Sequence, residues 1–152
     1  FMYKKIFVLL FGLFFLNGCG YSPIYSKITN KELNIELTSF DGDREINKAI
    51  RYNLERYTNK NDENKILIQT SSDYVKSVGT KNLAGNVTSY NISASVNFKV
   101  TSEKINKTFQ FTKTSVINNQ DNQLDETIYE ENIKKNLAEL FSNKLILQLL
   151  KN

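Results

Sequence analysis

The chain has 152 residues, long enough for one domain with a buried core, and carries 20 Lys and Arg against 16 Asp and Glu. It holds no histidine and a single cysteine, which excludes Ser-His-Asp and Cys-His catalysis and any intrachain disulfide, and removes the usual zinc ligands. The net charge of +4 comes with no lysine-arginine cluster, so nucleic-acid binding is not expected.

At the N-terminal end, Lys4 and Lys5 precede an apolar run over residues 6–16 that only Gly12 interrupts. This is the layout of a secretory signal, and the run is shorter than the ~20 residues a bilayer-spanning helix needs. Phe1 carries no message of its own, and Met2 is expected as the start. Leu16 stands three residues before Cys19 and Gly18 one before, a spacing that resembles the bacterial lipobox. Such a site needs a nucleophilic sulfur behind a slim residue. The expectation is a diacylglycerol and an N-acyl chain carried covalently on Cys19, with no other cofactor. Each buried methylene of such chains contributes about 0.8 kcal/mol to membrane attachment. The alternative is a free, buried cysteine at the end of a plain signal. Gly20, rather than Asp, follows the cysteine; in lipoproteins of Gram-negative bacteria that is compatible with export to the outer membrane. The expected organisation is a signal peptide over 1–18, a lipidated tether over 19–30 with Pro23 favouring an extended path, and a single domain over 31–152.

Leu33, Ile35 and Leu37 alternate with polar residues and predict a half-buried first strand. Asp41-Gly42-Asp43 reads as a turn in which Asp41 or Asp43 caps the next helix. Ile46, Ala49, Ile50, Asn53, Leu54 and Tyr57 then recur at helical spacing, with Arg44, Lys48, Arg51 and Arg56 mostly on the other face. Residues 58–64 form a polar loop. Ile66, Leu67 and Ile68 open a second strand, continued through Tyr74, Val75 and Val78 with a bend near Ser71-Ser72-Asp73. Residues 79–85, which include Lys81, are the connection.

The third strand has the longest alternation. Tyr90, Ile92, Ala94, Val96, Phe98 and Val100 fall on one face, and Asn91, Ser93, Ser95, Asn97 and Lys99 on the other. Alternation of this length predicts a sheet with one covered and one polar face. A tight hairpin at 101–104 leads to a fourth strand, with Ile105, Phe109 and Phe111 opposite Asn106, Thr108, Gln110 and Thr112, ending near Ile117. A polar loop over 118–122 precedes a helix over about 125–150. Thr127 and Glu130 have capping-box spacing, and Ile133, Leu137, Leu140, Phe141 and Leu145 form its stripe, widened by Leu147, Leu149 and Leu150.

The predicted fold is therefore α+β in the order β-α-β-β-β-α. It is a two-layer sandwich: a four-stranded, mostly antiparallel sheet with two helices on one face. Three carboxylate pairs, Asp41 with Asp43, Asp62 with Glu63 and Glu130 with Glu131, read as surface or helix-start charge, so an enzyme is not expected. Three Asn-x-Ser/Thr sequons, at Asn86, Asn91 and Asn106, read as strand composition.

The heptapeptide Cys19-Gly20-Tyr21-Ser22-Pro23-Ile24-Tyr25 after the lipobox resembles the start of the LptE family of lipopolysaccharide-assembly lipoproteins, in its alphaproteobacterial form. The helix Arg44-Glu45-Ile46-Asn47-Lys48-Ala49-Ile50-Arg51-Tyr52-Asn53-Leu54 is similar to the family's Arg-x-x-Leu helix, and the long alternating strand and C-terminal helix match in order and length. The resemblance implies a two-helix, four-strand sandwich without covalent chemistry. It implies a lipid-anchored protein on the periplasmic side of the outer membrane, plugging the β-barrel LptD and assisting lipopolysaccharide passage. It also implies lipopolysaccharide binding through basic residues, for which Lys81 and Lys113 are the candidates, although Leu83 and Ala84 stand nearest the family's basic position in the connection. A different lipid-anchored module, a pilotin or a lipid carrier, is the competing reading. A carrier would need an apolar cavity between sheet and helices.

Overall fold

The structure, a computed structural model, describes residues 33–58 and 64–151. The signal segment, Cys19, the tether and the pair Asp62 with Glu63 lie outside the described residues. Six elements follow in order: β1 (Ile35–Gly42), α1 (Arg44–Glu55), β2 (Ile66–Lys81), β3 (Val87–Thr101), β4 (Asn106–Asn118) and α2 (Gln123–Lys151). The strands lie side by side as β1-β2-β3-β4. β2, β3 and β4 form an antiparallel meander, whereas β1 runs parallel to β2 along one edge. A parallel neighbour requires a crossover, which the segment containing α1 supplies.

β3 carries the core because it is central and its inner row is apolar throughout. Ile92, Ala94, Val96, Phe98 and Val100 are buried there. Ile46, Ile50 and Leu54 of α1 and Leu137, Phe141, Leu145 and Leu149 of α2 are buried with them. The two helices thus cover one face, as the alternation predicted. The other face stays open and largely polar, with Gln69, Ser71 and Asp73 on β2, Ser93, Ser95 and Asn97 on β3, and Gln110, Thr112 and Thr114 on β4.

Several boundaries differ from expectation for local reasons. β1 does not stop before Asp41-Gly42-Asp43 but runs through Gly42. Its register slips between Leu37 and Ser39, so Phe40 stands opposite Thr70 in the same row as Ile35 and Leu37. Gly42 adopts φ 90, and a Cβ there would lie 1.7 Å from the Ser72 carbonyl oxygen. Only glycine permits that approach. Asp43 is then the N-cap, its carboxylate accepting from the amides of Glu45 (3.0 Å) and Ile46 (2.9 Å).

The bend expected at residues 71–73 is absent, and β2 pairs with β3 without interruption from Leu67 to Val78. Thr70 and Ser72 are polar residues in its buried row. The expected connection over 79–85 contracts to a turn after Lys81, where the Asn82 side-chain oxygen accepts from the amides of Ala84 and Asn86, both at 3.0 Å. In α2, the start is set by Asn122, whose side-chain oxygen accepts from the amide of Asp125 at 2.8 Å, not by Thr127 with Glu130. Thr127 instead donates to the Gln123 carbonyl within the helix. The buried stripe of α2 keeps Leu137, Phe141, Leu145 and Leu149 of the expected row and extends it to one side through Ala138, Ser142 and Ile146, leaving Leu140 and Leu147 partly exposed.

Candidate functional site

The sequence singled out Cys19, Lys81 and Lys113. Cys19 lies outside the described residues. Lys81 ends β2 at the hairpin tip and is exposed, with the fully exposed Leu83 just beyond it. Lys113 lies in the middle of β4, opposite Ala94, in the row that also holds Phe109 and Phe111. At about 3.3 Å per residue, the run of β2 from Tyr74, opposite Ala94, to Lys81 separates the two lysines by roughly 20 Å. The structure does not bring them into one site.

What it does bring together is a charged layer between the sheet and the helices. Lys76, in the inner row of β2, reaches Glu126 at 2.6 Å and Glu130 at 2.8 Å on α2. Lys134 reaches back from α2 to Asp43 at 2.9 Å and Glu45 at 3.1 Å on α1. Both ammonium groups also sit over aromatic rings, Lys76 4.3 Å from the Tyr90 centroid and Lys134 4.6 Å from that of Tyr74. Burial opposes charge on Asp43, but the Ile46 amide and Lys134 outweigh it and hold the carboxyl below its usual value. Burial likewise opposes charge on Lys76 and Lys134, and their carboxylate partners outweigh it and raise both. Burial, reinforced by Glu130, pushes the Tyr74 phenol up to about 12.

Every group in this layer is engaged with an opposite charge or a ring, so its chemistry is that of a clasp joining β2, α1 and α2. Asp43 and Glu130, two of the candidate carboxylates, are consumed in it. Among the described residues, no group of three or more His, Cys, Asp or Glu side chains is arranged to hold a metal ion.

A second feature was only half visible in the sequence. Arg44, Lys48 and Arg51 were placed on the outer face of α1, but not in any site. In the structure they line a hollow of about 440 Å³ with Phe40, Gly42 and Asn47. The signal missed was the register slip in β1, which brings Phe40 to that edge.

The fold and these sites define a class: a two-layer α+β sandwich with one open polar sheet face and ionic groups that serve packing. The chain belongs to the LptE lipopolysaccharide-assembly family, whose pattern it matches over residues 33–149. Solved structures of the same fold include rare lipoprotein B from Shewanella oneidensis, at 15% identity and TM-score 0.55, covering 76% of this chain and 94% of that one. A structure from Caulobacter crescentus CB15 described as a lipoprotein has 11% identity and TM-score 0.54, covering 82% of this chain and 93% of that one. Lipoprotein B from Nitrosomonas europaea has 15% identity and TM-score 0.51, covering 77% and 83%. No curated protein matches the chain.

Proposed function

We propose that this chain is a lipoprotein of the outer membrane, anchored by acyl chains on Cys19 at the periplasmic side, that plugs and helps assemble an LptD-like β-barrel in lipopolysaccharide transport. The observation that carries this reading is the family match across residues 33–149, joined to an open sheet face rich in Ser, Thr, Asn and Gln. A body seated in a water-filled lumen needs polar surface and a rigid interior. Between sheet and helices, Phe98, Phe141, Ile50, Leu54 and Leu145 are each fully buried. Such packing favours a plug over a lipid carrier, which needs an enclosed apolar cavity. No covalent chemistry is part of this function.

Co-purification of the C-terminally tagged protein from detergent-solubilised outer membrane tests it. A large β-barrel in equal amount is the expected companion, and a lipoprotein found alone or with a secretin would overturn the assignment. Lys81 and Lys113 are proposed as separate contacts for lipopolysaccharide phosphates, the first at the hairpin tip and the second on β4. Charge reversal of each, Lys81→Glu and Lys113→Glu, is expected to weaken binding to lipopolysaccharide vesicles. Unchanged binding by either variant would remove that lysine as a contact.

A further inference from the structure

The hollow at the edge where β1 hands over to α1 has a composition that packing does not explain. Three of its six lining residues are cations, Arg44, Lys48 and Arg51. Their spacing puts them on one helix face, at neighbouring turns, where like charges repel. None of the three makes a salt bridge among the described residues. The nearby acids, the N-cap Asp43 and Glu45 of α1, are held on the other flank by Lys134. The positive charge of the hollow is therefore left standing.

Its floor, by contrast, is fixed. Asn47 is buried and donates to the Asp41 carbonyl at 2.8 Å, while its side-chain oxygen accepts from the Ser72 hydroxyl at 2.9 Å. Phe40 lies under the Arg51 guanidinium, 4.5 Å from ring centroid to carbon, and holds it by a cation-π contact. Gly42 closes the corner against the Ser72 carbonyl. The first-turn amides of Glu45 and Ile46 are already taken by Asp43, so the side chains, not the helix end, supply the donors.

We propose that this hollow is a phosphate-binding site, with Arg44 and Arg51 as forked donors on either side of the Lys48 ammonium. Guanidinium forks match the tetrahedral oxygens of a phosphate, and a lysine between them adds a point charge. The volume falls in the ~300–1,000 Å³ range of small-ligand sites. Three cations around one hollow, with no basic tract leading away from it, fit one phosphate group and not a polyanion. The group comes either as free phosphate or on the headgroup of a membrane lipid. The site stands apart from Lys81 and Lys113 and does not depend on a barrel partner.

The test is a titration of the isotope-labelled full chain in detergent, followed by amide NMR. Inorganic phosphate is expected to give saturable shifts centred on Arg44, Lys48 and Arg51. The variant Arg44→Gln/Lys48→Gln/Arg51→Gln should lose affinity by at least about tenfold, the scale of lost charge-assisted bonds. Lys99→Gln/Lys104→Gln/Lys107→Gln, which removes the same charge from the opposite hairpin, should keep it. A parallel arm measures binding to phosphatidylcholine vesicles with and without phosphatidic acid. Stronger binding to the acidic vesicles, lost only in the first variant, supports the site and makes a lipid headgroup the source. Saturable phosphate shifts with no gain on those vesicles support the site and make soluble phosphate the source. Equal losses in the two variants, or shifts that never saturate, would overturn the proposal. The three side chains are exposed and form no ion pair among the described residues, and loss of the Arg51–Phe40 contact is offset by relief of the like-charge repulsion, so the first variant should remain folded, with a melting temperature close to that of the wild type.

Discussion

Gly42 and Asp43 fix the corner on which both the fold and the cationic hollow depend. At φ 90, with the Ser72 carbonyl 1.7 Å from any added Cβ, Gly42→Ala combines backbone strain with a collision against main chain. A loss of about 3 kcal/mol or more is expected, read from the shift in urea midpoint. Asp43 does two separable jobs. Asparagine retains the cap but drops the charge facing Lys134; alanine drops both. Asp43→Ala should therefore cost about 2 kcal/mol, and Asp43→Asn about 1 kcal/mol less than that, since a lost cap contributes ~1 kcal/mol by itself. Equal losses in a paired denaturation series would show that the cap is not what the aspartate supplies.

The elements differ in how openly the sequence declares them. β3 was legible because each of its inner positions from Ile92 to Val100 is apolar and each outer one polar. β2 was legible as a strand but not as an unbroken one, because its inner row reads Ile68, Thr70, Ser72, Tyr74, Lys76, and the last three are satisfied or covered by residues far along the chain. Ser72 meets Asn47 and Lys76 meets Glu126 and Glu130, and no local pattern announces such partners. The sequence put Lys81 in a connection and Lys113 on the fourth strand; that Lys81 ends β2, that Lys113 shares a row with Phe109 and Phe111, and how far apart the two stand all follow from register. The cations of α1 were legible as a face, while the hollow they line depends on a bulge that periodicity does not reveal. α2 shows the same dependence on distant residues. Its first turns leave Leu124 69% and Ile128 49% exposed, so little apolar burial holds them. Lys76 supplies the ionic contacts between those turns and β2. Lys76→Gln should accordingly lower hydrogen-exchange protection of the amides near Glu126 and Glu130 by about tenfold while sparing those around Leu145. Uniform loss along α2 would mean that the helix opens as one unit.

At the scale of the whole molecule, the charged layer makes stability a function of pH with two limbs. Asp43 titrates below its ordinary 3.8, so its contribution is present above that value and is lost as pH falls through the lower, folded-state value. Lys76 and Lys134 titrate above their ordinary 10.5, so their contribution is full below it and is lost as pH rises through the folded-state values. Tyr74 adds to the same limb: its neutral form is favoured in the fold, and that advantage disappears between 10.0 and about 12. With no histidine in the chain, no side chain has its unperturbed titration near neutrality. The urea midpoint should therefore be level from about pH 5 to about pH 9 and fall on both sides. The limbs are separable by substitution. Asp43→Asn should flatten the acid limb and leave part of the alkaline one, because Lys76 keeps its own carboxylates. Tyr74→Phe should flatten part of the alkaline limb at little cost near neutrality, since the buried Tyr74 hydroxyl has no hydrogen-bond partner among the described residues. If Tyr74→Phe instead lowers the midpoint equally at every pH, the hydroxyl contributes to packing and the alkaline limb belongs to the lysines alone.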